Sequence, residues 1–260
     1  NSSITVINDY DPETEAFYQR FNVFTRRRLT KRLLNIGYEV GRRPWWINNM
    51  HIDWSWCQVA WHIENDFYTR NADATQQDQL PVDQFRALCR IKRGIIHRLA
   101  TRGPNGTTEQ MRRKGRSVVG MCLLHDIGSY NWGVDKNFAP RMLGVVDDTV
   151  GYFDGAEFIP YWRNDLFDIK TPDVFASVYR GRGKAIVVVL SQVHGETEVE
   201  FDVAPHILGA NRRLHSISDA ETGQTFSKLS DREARQLRWG ELKAGTFGMD
   251  DRGVRLLLVE

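Results

Sequence analysis

The chain changes its rule of organisation once, near Thr171-Pro172-Asp173, and that change constrains the fold more than any single motif. Before it, short apolar runs alternate with longer stretches of helical spacing, the pattern of βα units and a parallel sheet. After it, short apolar or alternating runs follow one another across Gly-containing turns, the pattern of antiparallel pairing. The sequence therefore reads as two bodies. Residues 1–170 form the C-terminal part of a (β/α)8 barrel and residues 171–260 form a small antiparallel β-sandwich domain.

Five strand candidates fall in the first body. Ile4-Thr5-Val6-Ile7 is a β-branched run that leads into Asn8-Asp9-Tyr10-Asp11-Pro12. Pro44 to Asp53 is an apolar run with a polar exit, and Cys57 to Glu64 is a third short strand. Ser117 to Leu124 reads as a buried parallel strand because it is continuously apolar, and it ends at His125-Asp126. Glu157 to Trp162 is the fifth, before Arg163-Asn164-Asp165. Helical spacing predicts helices over Phe17–Tyr38, Pro81–Ala100 and Phe138–Tyr152, and Asn65–Leu80 reads as a long polar loop. In the second body, Val174–Tyr179 and Lys184–Leu190 flank a Gly-containing hairpin, and Thr197–Val203 alternates strictly. Further strands are expected near Arg213–Ile217, Gln224–Leu229 and Val254–Val259.

Composition narrows the function classes. Lys and Arg total 35 against 33 Asp and Glu, and no one-sided basic stripe is present, so a nucleic-acid partner is not expected. Arg26-Arg27-Arg28 with Lys31 and Arg32 reads as a solvated helix face. No apolar run reaches the roughly 20 residues of a membrane span. Cys57, Cys89 and Cys122 lack metal-ligand spacing and read as buried thiols. The compartment is left open, with a secreted or periplasmic placement favoured.

The runs Phe158-Ile159-Pro160-Tyr161-Trp162-Arg163-Asn164, Ala176-Ser177-Val178-Tyr179-Arg180, Lys184 to Val189, and Asp219-Ala220-Glu221-Thr222-Gly223 resemble the closing region of glycoside hydrolase family 123-like proteins. The resemblance runs from about residue 117 to the end. It implies a (β/α)8 barrel with a C-terminal β-sandwich, a carbohydrate substrate, and no cofactor. For characterised relatives it implies a hexosaminidase that uses an adjacent Asp-Glu pair with substrate assistance, and this chain has no such pair; Glu64-Asn65-Asp66 and Asp147-Asp148 come nearest. A whole barrel needs about 250 residues. If Glu157–Trp162 is strand eight, Ile4–Ile7 is strand four and strands one to three are missing. A second chain or an N-terminal fragment is expected to complete the barrel, and a homo-oligomer is another route to the same closure.

Glycoside hydrolysis usually takes two carboxyl groups across the scissile bond. Barrel active sites form at the C-terminal ends of the strands, so the candidate catalytic residues are the strand-end carboxylates Asp9, Asp11, Glu64, Asp66 and Asp126. Trp61 and Ile63 beside Glu64 suit it to a general acid's raised pKa. His51 with Asp53, and His125 with Asp126, are candidate clamps for sugar hydroxyls. Trp54, Trp56 and Trp132 have polar neighbours and are candidate rim residues for stacking on sugar rings. His51, Asp53, His62 and Asp126 show no recognisable metal-ligand spacing, and no metal is expected. Two rivals stand beside the hydrolase: a non-catalytic carbohydrate-binding or assembly subunit, and a barrel enzyme of another class with His125-Asp126 as its acid/base pair.

Overall fold

A computed structural model describes residues 47–49, 62–68, 74–79, 81–89, 96–102, 107–130, 138–209, 212–236, 243–251 and 253–260. The expected strand Ile4–Ile7 and helix Phe17–Tyr38 lie outside these residues.

Four short strands form a parallel sheet: β1 (Ile47–Asn49), β2 (His62–Tyr68), β3 (Ile96–Arg102) and β4 (Gly128–Tyr130). Their order in the sheet is their order in the chain, and each pairs in parallel with the next. Successive neighbours of this kind are what a barrel wall contains, whereas a doubly wound sheet reverses its strand order. Short helices α1 (Gln76–Gln79) and α2 (Val82–Cys89) lie between β2 and β3, and α3 (Thr108–His125) lies between β3 and β4. After β4 comes α4 (Phe138–Val150), where helical spacing places it.

Three expectations are corrected here. The strand read over Cys57–Glu64 passes its expected end, since β2 continues to Tyr68, and the expected loop from Asn65 begins as strand. The expected helix Pro81–Ala100 ends at Cys89, and its last residues belong to β3. Ile96 and Leu99 fit helical spacing, but two apolar residues three apart also occur in strands, and pairing with β2 decides. Finally, Ser117–Leu124 is the second half of α3 and not a strand. A continuously apolar run is buried in either conformation. Here a cap settles the matter ten residues upstream. The Thr107 side chain accepts from the Gln110 amide at 3.3 Å while the Thr107 amide donates to Gln110 Oε1 at 2.7 Å, a capping box that starts an 18-residue helix.

Helix α3 is apolar around most of its C-terminal half because it is covered on several sides. Val119, Met121, Leu123 and Leu124 are fully buried in one core with Phe85 of α2, Met142 and Val146 of α4, and residues of an antiparallel sheet. That sheet has six strands: β5 (Glu157–Ile159), β7 (Val174–Gly181), β8 (Lys184–Ser191), β10 (Ser216–Asp219), β11 (Thr225–Lys228) and β13 (Val254–Val259). They lie in the order β11-β10-β13-β8-β7-β5. The expected barrel strand over Glu157–Trp162 is thereby corrected: it is only three residues long and pairs antiparallel with β7. Pro160 cannot donate to a ladder, and a short helical turn over Tyr161–Arg163 follows it. The last parallel strand described is β4.

A second sheet of three strands comprises β6 (Phe167–Ile169), β9 (Thr197–Val203) and β12 (Lys243–Met249), in the order β12-β9-β6. The two antiparallel sheets share one core, and Phe226 of β11 meets Phe247 of β12 with centroids 5.5 Å apart. Strand β8 explains how the layers are joined. Its Ala185, Val187 and Val189 face this core, while Ile186, Val188 and Leu190 face the helices. A strand buried on both faces reads as an unbroken apolar run, which is how Ala185 to Leu190 reads. The helix-side core therefore crosses residue 171, and the antiparallel sheets begin at Glu157.

Close approach fixes one residue type in α3. A Cβ on Gly120 would lie 2.6 Å from both Val254 methyl carbons, so only glycine lets the helix lie this near β13. At the helix C-terminus two carbonyls accept from side-chain hydroxyls on β7. Tyr179 Oη donates to Leu123 O at 2.7 Å, and Ser177 Oγ donates to Leu124 O at 2.8 Å.

Candidate active site

The parallel sheet brings together residues that the sequence scatters over 80 positions. In its register Asn49 of β1 stands opposite Glu64 of β2, Glu64 opposite Arg98 of β3, and Arg98 opposite Gly128 of β4. One step further, Asp66 stands opposite Ala100, and Ala100 opposite Tyr130. The two-residue period puts His62, Glu64, Asp66 and Tyr68 on one face of β2, and Ile63, Asn65 and Phe67 on the other. One face of this sheet is thus rich in ionisable positions, whereas on the other His97 is the one ionisable position of the described strands. Sheets covered by helices on one side and lining a barrel on the other sort their residues this way.

Glu64 and Asp66 therefore lie inside a strand, at its third and fifth positions, and not in the loop after it. Sequence reading missed Asn49 and Arg98. A signal for β2 existed in the alternation from His62 to Tyr68. For Arg98 the helical reading of Pro81–Ala100 hid it.

His125 and Asp126 are in a different place from the one their candidacy assumed. They end a helix, and the residues after them enter β4 at its N-terminal end. The C-terminal strand ends, where barrel sites form, are at the other edge of the sheet. His125 is fully buried, with Nδ1 2.8 Å from the Met121 carbonyl. Its ring meets Phe85 edge-on at 4.8 Å and Tyr161 edge-on at 5.6 Å. Asp126 is the C-cap of α3 with φ 54°, and its amide donates to the Cys122 and Leu123 carbonyls. A short polar residue tolerates that left-handed conformation better than most.

The surroundings of Asp126 shift two tyrosines. Burial, then the charge of Asp126, holds Tyr179 well above the ordinary tyrosine value. The same two causes, in the same order, push Tyr152 up to about 12. Tyr161 is also pushed up, first by burial and then by Asp83, whose Oδ1 accepts from its hydroxyl at 3.1 Å. The Tyr179 and Tyr161 hydroxyls are neutral donors, bonded to the Leu123 carbonyl and to Asp83.

A cleft of about 700 Å³ lies between the first half of α3 and the turns after β10 and β12. It holds none of the expected site residues. Three of its arginines are paired with carboxylates: Arg113 with Asp251, Arg116 with Glu221, and Arg255 with Asp219 at 2.9 Å. Arg116 Nε also donates to the Val254 carbonyl at 2.8 Å, so the cleft is stitched and not open in charge. Among the described residues no group of three or more His, Cys, Asp or Glu could hold a metal ion, and no helix is long and apolar enough to cross a membrane. Asp9, Asp11, His51, Asp53, Trp54, Trp56 and Trp132 lie outside the described residues.

No family model and no curated protein matches the chain. Among solved structures it is similar to alpha-galactosidase I from Mortierella vinacea, with 9% identity and a TM-score of 0.46, over 91% of this chain and 63% of that one. It is similar to a noncanonic maltogenic alpha-amylase from Thermotoga neapolitana, with 13% identity and a TM-score of 0.46, over 90% and 58%. It is also similar to a family 30 subfamily 8 xylanase from Clostridium acetobutylicum, with 11% identity and a TM-score of 0.40, over 80% and 50%. The chain thus spans less than two thirds of each of these glycoside hydrolases. At such TM-scores the likeness carries no assignment of activity, and none of the three is of family 123.

Proposed function

We propose that this chain is a glycoside hydrolase of the family 123-like kind, or the C-terminal portion of one, cleaving an oligo- or polysaccharide at the polar face of its parallel sheet. The observation that carries the proposal is the row Asn49–Glu64–Arg98, with Asp66 two residues on, in a sheet whose strands neighbour one another in chain order. In this reading β1 to β4 are the last four strands of a barrel, closed by strands beyond those described, and the antiparallel sheets form the C-terminal β-sandwich.

Two carboxyl positions on one strand face suit the reaction. Their Cα atoms are separated by twice the strand rise, about 7 Å, a spacing from which two side chains can reach one glycosidic bond. The register divides the roles. A neighbouring arginine favours the ionised form of a carboxyl group, so Glu64, opposite Arg98, is assigned the ionised role of nucleophile or base. Asp66, opposite Ala100, is assigned the proton donor to the leaving oxygen. This reverses the general-acid role that the apolar neighbours of Glu64 suggest in the sequence. Asn49 is placed to bond a sugar hydroxyl, and the transition state gains most from a carboxylate held charged beside the developing oxocarbenium ion.

The test is hydrolysis of a panel of aryl glycosides by the full-length protein and by its Glu64→Gln and Asp66→Asn variants. Turnover by the parent and its loss in both variants is the expected result. Sugar binding without turnover of any substrate would favour the rival reading, a carbohydrate-binding subunit that keeps the fold.

A further inference from the structure

We infer that the concave basic patch beside the β7–β8 turn binds an anionic sugar unit, a uronate or a sulfated residue, remote from the parallel sheet. The concavity is about 270 Å³, and its charged lining is Arg182, Lys184, Arg212, Arg213, His215 and Glu260. Four fixed cations face one carboxylate side chain there. That carboxylate is taken by Lys184, and Arg182 is held by Asp154 at 2.5 Å, so two arginines are left over. Neither Arg212 nor Arg213 has a carboxylate partner among the described residues.

Arg212, itself exposed, lies over the hairpin turn. Strands β7 and β8 are joined by the two residues Arg182 and Gly183, both with positive φ, 49° and 76°. This is the backbone of a tight hairpin turn, and the glycine accepts its conformation without strain. The Arg212 guanidinium rests against that glycine: a Cβ there would meet its Cζ at 2.1 Å. A planar fork that lies over backbone with no acid to satisfy it suits a bidentate oxyanion. Carboxylate and sulfate both present that geometry.

The choice of a sugar rests on the hydrolase reading and on a second feature. Phe153 is 71% exposed and precedes Asp154, the residue that holds Arg182. Its ring is braced edge-on by Tyr152 at 5.0 Å. An aromatic face kept in solvent beside cations suits stacking on the apolar face of a pyranose that carries a negative group. A nucleic-acid backbone would need a longer run of unpaired cations, against a chain whose charges nearly balance at 35 to 33.

The experiment is calorimetric titration of the full-length protein with tetragalacturonate, a heparin tetrasaccharide, neutral maltotetraose, inorganic sulfate and a short oligothymidylate. Binding of at least one anionic tetrasaccharide is expected. It should weaken about tenfold in the Arg212→Ala/Arg213→Ala double variant, since a charge-assisted bond is worth roughly that factor. Phe153→Ala should weaken it without altering charge, and added salt should weaken it more in the parent than in the double arginine variant. Glu64→Gln should leave it intact, so loss of hydrolysis and loss of this site are read separately. No binding of either anionic sugar overturns the inference. So does equal binding of maltotetraose, or sulfate or oligothymidylate binding as tightly as the anionic sugars. Folded variants, shown by unchanged circular dichroism, that keep full affinity overturn it too.

Discussion

Glu64 of β2 and Arg98 of β3 are register partners, one strand spacing apart in the middle of the parallel sheet. If Arg98 favours the ionised form of Glu64, its removal has a signed consequence. Arg98→Gln should move the acidic limb of the pH profile of kcat/KM upward, because a lost cationic neighbour lets the carboxyl protonate earlier. The maximal rate at the optimum should fall less than in Glu64→Gln. A profile of unchanged shape would show that the two positions are not coupled. Arg98 is in this sense a positioning residue, and a merely structural role would leave the limb where it was.

The junction between α3 and β7 is open to a stability measurement. Tyr179→Phe removes the hydroxyl that donates to Leu123 O and leaves that carbonyl only the longer bond from the Asp126 amide at 3.3 Å. We expect a loss of about 1–3 kcal/mol in urea unfolding. Ser177→Ala removes the equivalent donor to Leu124 O and also the oxygen that accepts from the Tyr161 amide at 2.9 Å. Its cost should be of the same order. Values near zero for both would mean that the helix end is satisfied by other groups.

Gly120 should tolerate no side chain. Alanine is the better helix former by about 1 kcal/mol, yet its Cβ would lie 2.6 Å from the Val254 methyl carbons. Overpacking of this kind costs about 1–3 kcal/mol, so Gly120→Ala should be net destabilising. Combined with Val254→Ala it should cost less than the sum of the single changes, by about 1 kcal/mol. Strict additivity would refute the close approach.

Alkaline titration reads the buried tyrosines. The folded values of Tyr152 and Tyr179 lie above the unfolded value of about 10. The native state therefore holds these protons after the unfolded chain has released them. Their contribution to stability is fully present below about pH 10, declines above it, and is lost as pH rises through about 12 for Tyr152. Absorbance of tyrosinate at about pH 11 should be lower in the native protein than in urea. Equal absorbance in both states would contradict the burial described.

The antiparallel strands were legible because their signals are local. The β7–β8 hairpin and the alternation of β9 stand in the sequence where the structure has them. The helix α3 was misread because a run buried on several sides carries no period. Only the capping box at Thr107, far from the apolar run, distinguishes it from a strand. Glu64 and Asp66 could be singled out as carboxylates near a strand, but their row partners could not. Asn49 and Arg98 are joined to them by sheet register, which depends on residues 15 and 34 positions away. His125-Asp126 looked like a strand exit for the same reason that α3 looked like a strand.

Rates of three variants against the parent test the central claim most directly. With a substrate that the full-length protein hydrolyses, Glu64→Gln and Asp66→Asn should each lower kcat/KM by at least about a hundredfold, the scale of a lost acid/base group. Asp126→Asn, at the cap of α3 by the opposite edge of the sheet, should stay within about twofold of the parent, since asparagine keeps the left-handed cap. Loss of activity in Asp126→Asn with Glu64→Gln and Asp66→Asn unimpaired would contradict the account and return the site to the end of that helix.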